Sequence, residues 1–86
     1  MLNEPFIVVT HGNCPWCIRV KSLIKGYGKE YQEISLDDAP GLKEFFKMVG
    51  WKTVPQVFYG GYRIGGYEHT KAFFEPPGDY VELMGS

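Results

Sequence analysis

Cys14-Pro15-Trp16-Cys17 is the segment of this sequence best equipped for chemistry, and it holds the only 2 cysteines among 86 residues. Closed as a disulfide, the pair would ring just 4 residues. By chain entropy such a ring stabilises by about 2 kcal/mol at most, before strain is subtracted. So weak a staple argues that the sulfurs are present for reaction. Pro15 suits the first position of a helix, where its missing N–H would be unpaired anyway. Cys14 then lies at the helix N-terminus, among free N–H groups and the positive end of the dipole, which favours a thiolate. Cys17 falls one turn further on the same face. The spacing predicts an exposed nucleophile at 14 and a sheltered, less ionisable partner at 17.

The use of a low thiol pKa can be weighed. Moving Cys14 from about 8.5 to about 5 raises its thiolate fraction at neutral pH roughly thirtyfold. Its intrinsic nucleophilicity falls by a similar factor at a Brønsted slope of about 0.45. Attack nearly breaks even, and the net gain comes when Cys14 is the leaving group of a mixed disulfide. That suits a sulfur repeatedly loaded and unloaded. A zinc site is the other chemistry open to a C-x-x-C, with His11 and His69 as further ligands. Ligands at 11, 14, 17 and 69, with Pro15-Trp16 between the cysteines, match no familiar zinc spacing, so the expectation is redox chemistry and no metal.

The surrounding elements must place this motif. Phe6-Ile7-Val8-Val9-Thr10, between Pro5 and Gly12-Asn13, reads as a buried central strand. Val20, Leu23, Ile24 and Tyr27 recur at helical spacing after the motif, and that helix ends near Gly26 or Gly28. Tyr31–Leu36 is a second strand, and Asp37-Asp38-Ala39-Pro40 a turn and helix start. Leu42, Phe45, Phe46 and Val49 follow on a helix that Gly50 closes. Gln56–Tyr59 and Tyr62–Ile64, joined by Gly60-Gly61, form a hairpin. A last helix runs from about Glu68 to Phe74, stopped by Pro76-Pro77-Gly78. Asp79 and Glu82 suggest one further capped turn. The pairs Phe45-Phe46 and Phe73-Phe74 are read as core. The order is β-α-β-α-β-β-α, an α/β fold whose four-stranded mixed sheet carries helices on both faces.

Length and composition agree with one domain over residues 1–86. A chain this short buries roughly 60–65% of its unfolded surface, so its core is thin. With 44% hydrophobic and 22% charged residues it is globular rather than disordered. A net charge of -1 without a basic stripe gives no support to nucleic-acid binding. The longest clean apolar run, Phe6–Val9, falls far short of the ~20 residues of a membrane span, and no leader is visible ahead of it. A soluble cytoplasmic monomer is expected.

Three blocks now resemble the glutaredoxins, small thioredoxin-fold enzymes that use glutathione: Cys14-Pro15-Trp16-Cys17 with Ile18-Arg19-Val20-Lys21, Thr53-Val54-Pro55-Gln56-Val57-Phe58, and Ile64-Gly65-Gly66-Tyr67-Glu68. Jointly they are specific and span most of the chain; the short form and the Gly-Gly-aromatic-acid variant are similar to the glutaredoxins that phages carry. The resemblance implies a thioredoxin-like fold and a glutathione-dependent thiol–disulfide oxidoreductase with Cys14 and Cys17 as catalytic residues. Cys14 attacks, and glutathione or Cys17 resolves the mixed disulfide. Glutathione is then a co-substrate, no cofactor is bound, and ribonucleotide reductase is a plausible protein partner. If the chain is viral, the host cytoplasm is its place. The implied glutathione-binding residues are His11, Trp16, Thr53, Val54, Pro55, Gly66, Tyr67 and Glu68.

Each has a physical sense. Val54 precedes proline and is held extended; the resemblance implies a cis Val54–Pro55 bond, where the sequence alone would favour trans. Val54's backbone would then be free to pair with an incoming peptide. Gly65-Gly66 permits close backbone approach, and the N–H groups of Tyr67 and Glu68 suit a carboxylate. Glu68 could hold glutathione's α-amino group, or serve simply as an acid at a helix N-terminus. Trp16 offers an apolar platform beside the sulfur. Lys52 reads as a solvated charge that could also meet the glycine carboxylate. Two positions depart from the family. His11 stands where a lysine is usual, which makes support of the thiolate weaker and pH-dependent, unless it is only a loop histidine. His69 stands where an acid is common, which leaves exclusive use of glutathione open. The alternatives are a thioredoxin-like donor recharged by a flavoprotein reductase, a [2Fe–2S] carrier bridged through Cys14 and glutathione, and a redox-silent binding module.

Overall fold

A strand apolar on both faces belongs in the middle of a sheet, and that is where Phe6–Thr10 lies. The computed structural model describes residues 5–75. Its elements are β1 (Phe6–Thr10), α1 (Pro15–Gly26), β2 (Tyr31–Ser35), a 3-10 turn (Leu36–Asp38), α2 (Pro40–Val49), β3 (Gln56–Tyr59), β4 (Tyr62–Gly65) and α3 (Tyr67–Phe74). The strands run in the order β2-β1-β3-β4. β1 is parallel to β2 from Phe6↔Tyr31 to Thr10↔Ser35, and antiparallel to β3 with Val8 opposite Val57. β3 and β4 close the antiparallel hairpin. This is the order and mixed sheet expected from the sequence.

The alternation of β1 divides the core in two. Phe6 and Val8 face one way, packing with Val20 and Ile24 of α1, Val57, Ile64 and the half-buried Tyr67 and Phe74 of α3. Val9 and Ile7 face the other way, against Leu36, Phe46 of α2, Trp51 and Phe58. Helices therefore cover both faces, with α1 and α3 on one and α2 on the other. The ends of α1 and α3 are clasped by Tyr27, whose ring stacks on Phe74 at 4.5 Å. Its O–H donates to the Glu75 carboxylate, which pushes the phenol pKa up.

Three readings need adjustment. Leu36 leaves the second strand for the 3-10 turn, because Ser35 Oγ accepts the Asp37 N–H at 3.2 Å and Leu36 is buried there. α3 begins at Tyr67, one residue early, with Gly66 as its cap. α1 ends at Gly26, one of the two glycines expected to end it, with Tyr27 as its C-cap. The two phenylalanine pairs are not uniformly core. Neighbours on a helix point about 100° apart, so Phe46 is 3% exposed while Phe45 is 48% exposed, and Phe73 is 44% exposed beside a half-buried Phe74. Gly50 closes α2 in the left-handed region, φ 86°, as expected. The Asp79–Glu82 turn lies outside the described residues.

Candidate functional site

Cys14 caps α1 from an extended backbone, φ -139° and ψ 97°. Its Sγ accepts the Cys17 N–H at 3.1 Å, and its carbonyl accepts the N–H groups of Cys17 and Ile18. The two cysteines are joined as a disulfide, their Cα atoms 5.2 Å apart. Cys14 is half-buried and Cys17 is 3% exposed. The ranking expected from the spacing is therefore present, with Cys14 less open than expected. In the disulfide neither sulfur is charged. On reduction, the N–H aimed at Cys14 Sγ becomes a donor to its thiolate.

The second component is the loop before β3. Its Val54–Pro55 bond is cis, as the resemblance implies, and the Val54 carbonyl oxygen lies 3.8 Å from Cys14 Sγ. Gln56, buried at the start of β3, secures this loop by donating from Nε2 to the Thr53 carbonyl at 3.0 Å. Its Oε1 accepts from Arg63 Nη1 at 3.1 Å, and the Arg63 guanidinium lies 4.7 Å from the centre of the Trp51 ring. A polar group this buried needs both partners.

The third component is the start of α3. Gly65 has φ 125°, and a Cβ there would come within 3.0 Å of the His69 side chain. Only glycine fits that bend. At Gly66 a methyl would find ordinary contact, 3.6 Å from the Pro55 oxygen. The Gly66 carbonyl accepts both the Oγ1–H of fully buried Thr70 at 2.8 Å and the Thr70 N–H at 3.0 Å. Both bonds run back to the cap of α3 itself and close the first turn of that helix.

Trp16, Thr53, Val54, Pro55, Gly66, Tyr67 and Glu68 surround one cavity of about 230 Å³. The Trp16 ring stands 5.4 Å from that of Tyr67 and is 47% exposed, with the Arg19 guanidinium 4.5 Å from its centre. Cys14 adjoins this cavity through Val54. Seven of the eight residues expected to bind a ligand thus share one wall, and Glu68 is the charged one among them. His11 is elsewhere: its Nδ1 lies 2.9 Å from Asp37 Oδ1. The His11 Nδ1 atom is buried and makes no aligned hydrogen bond. Asp37 Oδ2 accepts the Gly12 N–H at 3.0 Å. That hydrogen bond, then the charges of His11 and Lys43, holds the Asp37 carboxyl below the usual carboxylate range. Lys52 is exposed and does not line the cavity. Among the described residues no three His, Cys, Asp or Glu side chains gather as a metal site would require.

Sequence reading passed over Gln56, Arg63, Thr70 and Asp37 as working parts. Gln56 carried a signal, since a polar residue between Pro55 and Val57 of a buried strand needs a partner. Arg63 and Asp37 are tied to the site only by tertiary contact, and Thr70 by a bond four residues back to Gly66.

Comparison with known proteins agrees with this geometry. The glutaredoxin family profile matches residues 6–64. Over 69 residues the chain is 38% identical to a glutaredoxin of Pseudomonas aeruginosa, covering 79% of this chain and 82% of that one. To glutaredoxin 3 of Escherichia coli K12 it is 38% identical over 66 residues, covering 76% and 80%. Among solved structures it superposes on the buckwheat glutaredoxin–glutathione complex with a TM-score of 0.70 at 33% identity, covering 93% of this chain and 76% of that one. The topology is the thioredoxin-like fold of these proteins.

Proposed function

Because the chain belongs to the glutaredoxin family of thiol–disulfide oxidoreductases, we propose that it reduces protein disulfides and glutathione mixed disulfides with electrons drawn from glutathione. One observation carries this reading: the cavity beside Cys14, walled by Trp16, the cis-proline loop and the start of α3. The similar buckwheat protein was solved with glutathione.

The steps follow from sulfur chemistry. The Cys14 thiolate attacks the glutathione sulfur of a mixed disulfide, forming a Cys14–glutathione bond and expelling the other partner as a thiolate, which takes a proton from water. A second glutathione thiolate attacks the glutathione sulfur of that bond, releasing oxidised glutathione and regenerating the Cys14 thiolate. With a protein disulfide, Cys17 can instead attack Cys14 Sγ, expelling the protein thiolate and closing the Cys14–Cys17 disulfide. Two glutathiones then supply the two electrons that reopen it. In the cavity, the N–H groups of Tyr67 and Glu68 receive the γ-glutamyl carboxylate, the Glu68 side chain its amino group, Val54 and Thr53 the peptide backbone, and Trp16 the apolar stem. The protein works on this reading as a cytoplasmic monomer, supplying enzymes such as ribonucleotide reductase.

The test is glutathione-coupled reduction of a small mixed disulfide by wild type, Cys14→Ser and Cys17→Ser. Cys14→Ser should lose turnover by more than about a hundredfold, and Cys17→Ser should retain most of it. Folded wild-type protein that turns over with thioredoxin reductase but not with glutathione would transfer the recharging role to a flavoprotein.

A further inference from the structure

The segment His11-Gly12-Asn13 joins the end of β1 to Cys14, and one carboxylate grips two of its three residues. Asp37 Oδ1 meets His11 Nδ1 at 2.9 Å, and Oδ2 takes the Gly12 N–H at 3.0 Å. Asp37 is itself held in place. Its N–H donates to Ser35 Oγ, its neighbour Leu36 is buried, and Ser35 is in register with Thr10 across the parallel pair. An acid merely decorating a turn would lack this set of contacts.

The consequence for the sulfur is geometric. Three residues of chain reach at most about 10 Å, so an unrestrained imidazole at position 11 could approach the Cys14 thiolate. In the structure its Nδ1 faces Asp37, and the ring takes no part in the cavity beside Cys14. We propose that Asp37 is a positioning residue for the redox centre: it fixes the approach to Cys14 and holds the His11 ring away from the sulfur. The thiolate is then set by the helix N-terminus and insulated from the charge of His11. The charged groups around Asp37 are His11 on the β1–α1 segment, Lys43 on α2 and its chain neighbour Asp38. Of these, only His11 belongs to the segment that carries Cys14. The inference rests on Cys14 being the nucleophile of the proposed function, but not on which reductant recharges it.

The experiment is the rate of iodoacetamide alkylation of Cys14 in the reduced protein from pH 4 to 9, for wild type, Asp37→Asn, His11→Gln and the double variant. The amide oxygen of Asp37→Asn can still accept the Gly12 N–H, and Asp37→Ser gives a second variant able to do so. Loss of the Asp37 charge alone speeds alkylation at acid pH equally whichever residue stands at 11, so it cancels in the comparison. A released, protonated imidazole that turns to the thiolate adds to it. The acceleration by Asp37→Asn near pH 5 should be about threefold larger with His11 present than in the His11→Gln background. Equal accelerations in the two backgrounds, for both Asp37 variants, would overturn the proposal. Glutathione is absent from the assay, so a failed glutathione-coupled reaction and a failed positioning role are read separately.

Discussion

Cys14 gathers three separate influences: the helix N-terminus beneath it, the Cys17 N–H on its sulfur, and the Val54 carbonyl across from it. The first two favour negative charge. The carbonyl does not, since its oxygen carries the negative end of a dipole. Trp16 contributes by area instead of charge. Its ring is 47% exposed, faces Tyr67 and is backed by Arg19. Trp16→Ala should raise the KM for a glutathione mixed disulfide about fivefold, the worth of roughly 1 kcal/mol of aromatic contact, and leave kcat within about twofold. Steady-state kinetics with thermal unfolding would check this, since removal of an exposed ring should leave the melting midpoint nearly unchanged.

The elements are tied to one another by a few polar contacts that also set the acid response. Lys21 on α1 donates to Glu33 Oε1 of β2 at 3.0 Å, and the buried Thr10 hydroxyl of β1 donates to Glu33 Oε2 at 2.9 Å. Lys21 first, then Thr10, holds the Glu33 carboxyl below its usual value. A carboxyl depressed in the folded state binds fewer protons there than in the unfolded chain. Its stabilisation is therefore present above the unfolded pKa and is lost as pH falls through the folded one. Asp37 acts in the same direction. Since the Lys21 and Glu33 side chains are 24% and 39% exposed, screening keeps their pair to about 0.5 kcal/mol. Glu33→Gln should lower the melting midpoint at pH 7 by about 3 °C and flatten the fall of the midpoint below about pH 4.5. Calorimetry between pH 3 and 7 would show it; an acid limb as steep as wild type would assign the whole effect to other carboxyls.

One sheet with a core on each side makes β1 common to both, so the molecule has little redundancy. Ile24 is fully buried in the core shared by α1, α3 and the sheet. Ile24→Ala should cost about 3 kcal/mol through lost burial and the cavity left behind, a large part of the ~5 kcal/mol at which small domains often stand. The urea midpoint should fall accordingly. Phe45→Ala, which removes a half-exposed ring and its edge contact with Trp51 at 6.0 Å, should cost about 1 kcal/mol, well below Ile24→Ala.

The β-α-β-α-β-β-α order, the central place of Phe6–Thr10, the two-sided covering of the sheet and the unequal burial of Cys14 and Cys17 were all legible from residue type and spacing. Those features are governed by local periodicity, turn chemistry and helix geometry, each written into a short stretch of chain. The cis Val54–Pro55 bond was legible only through resemblance, because a lone X-Pro pair favours trans. Which phenylalanine of each pair turns inward, what Gln56 supports, and where the His11 ring points were decided by residues distant in sequence. Asp37 is 26 positions from His11, and nothing in either segment states that β1 and β2 will end side by side. That juxtaposition exists only once the parallel pair has formed, and it determines whether His11 faces the sulfur or a carboxylate.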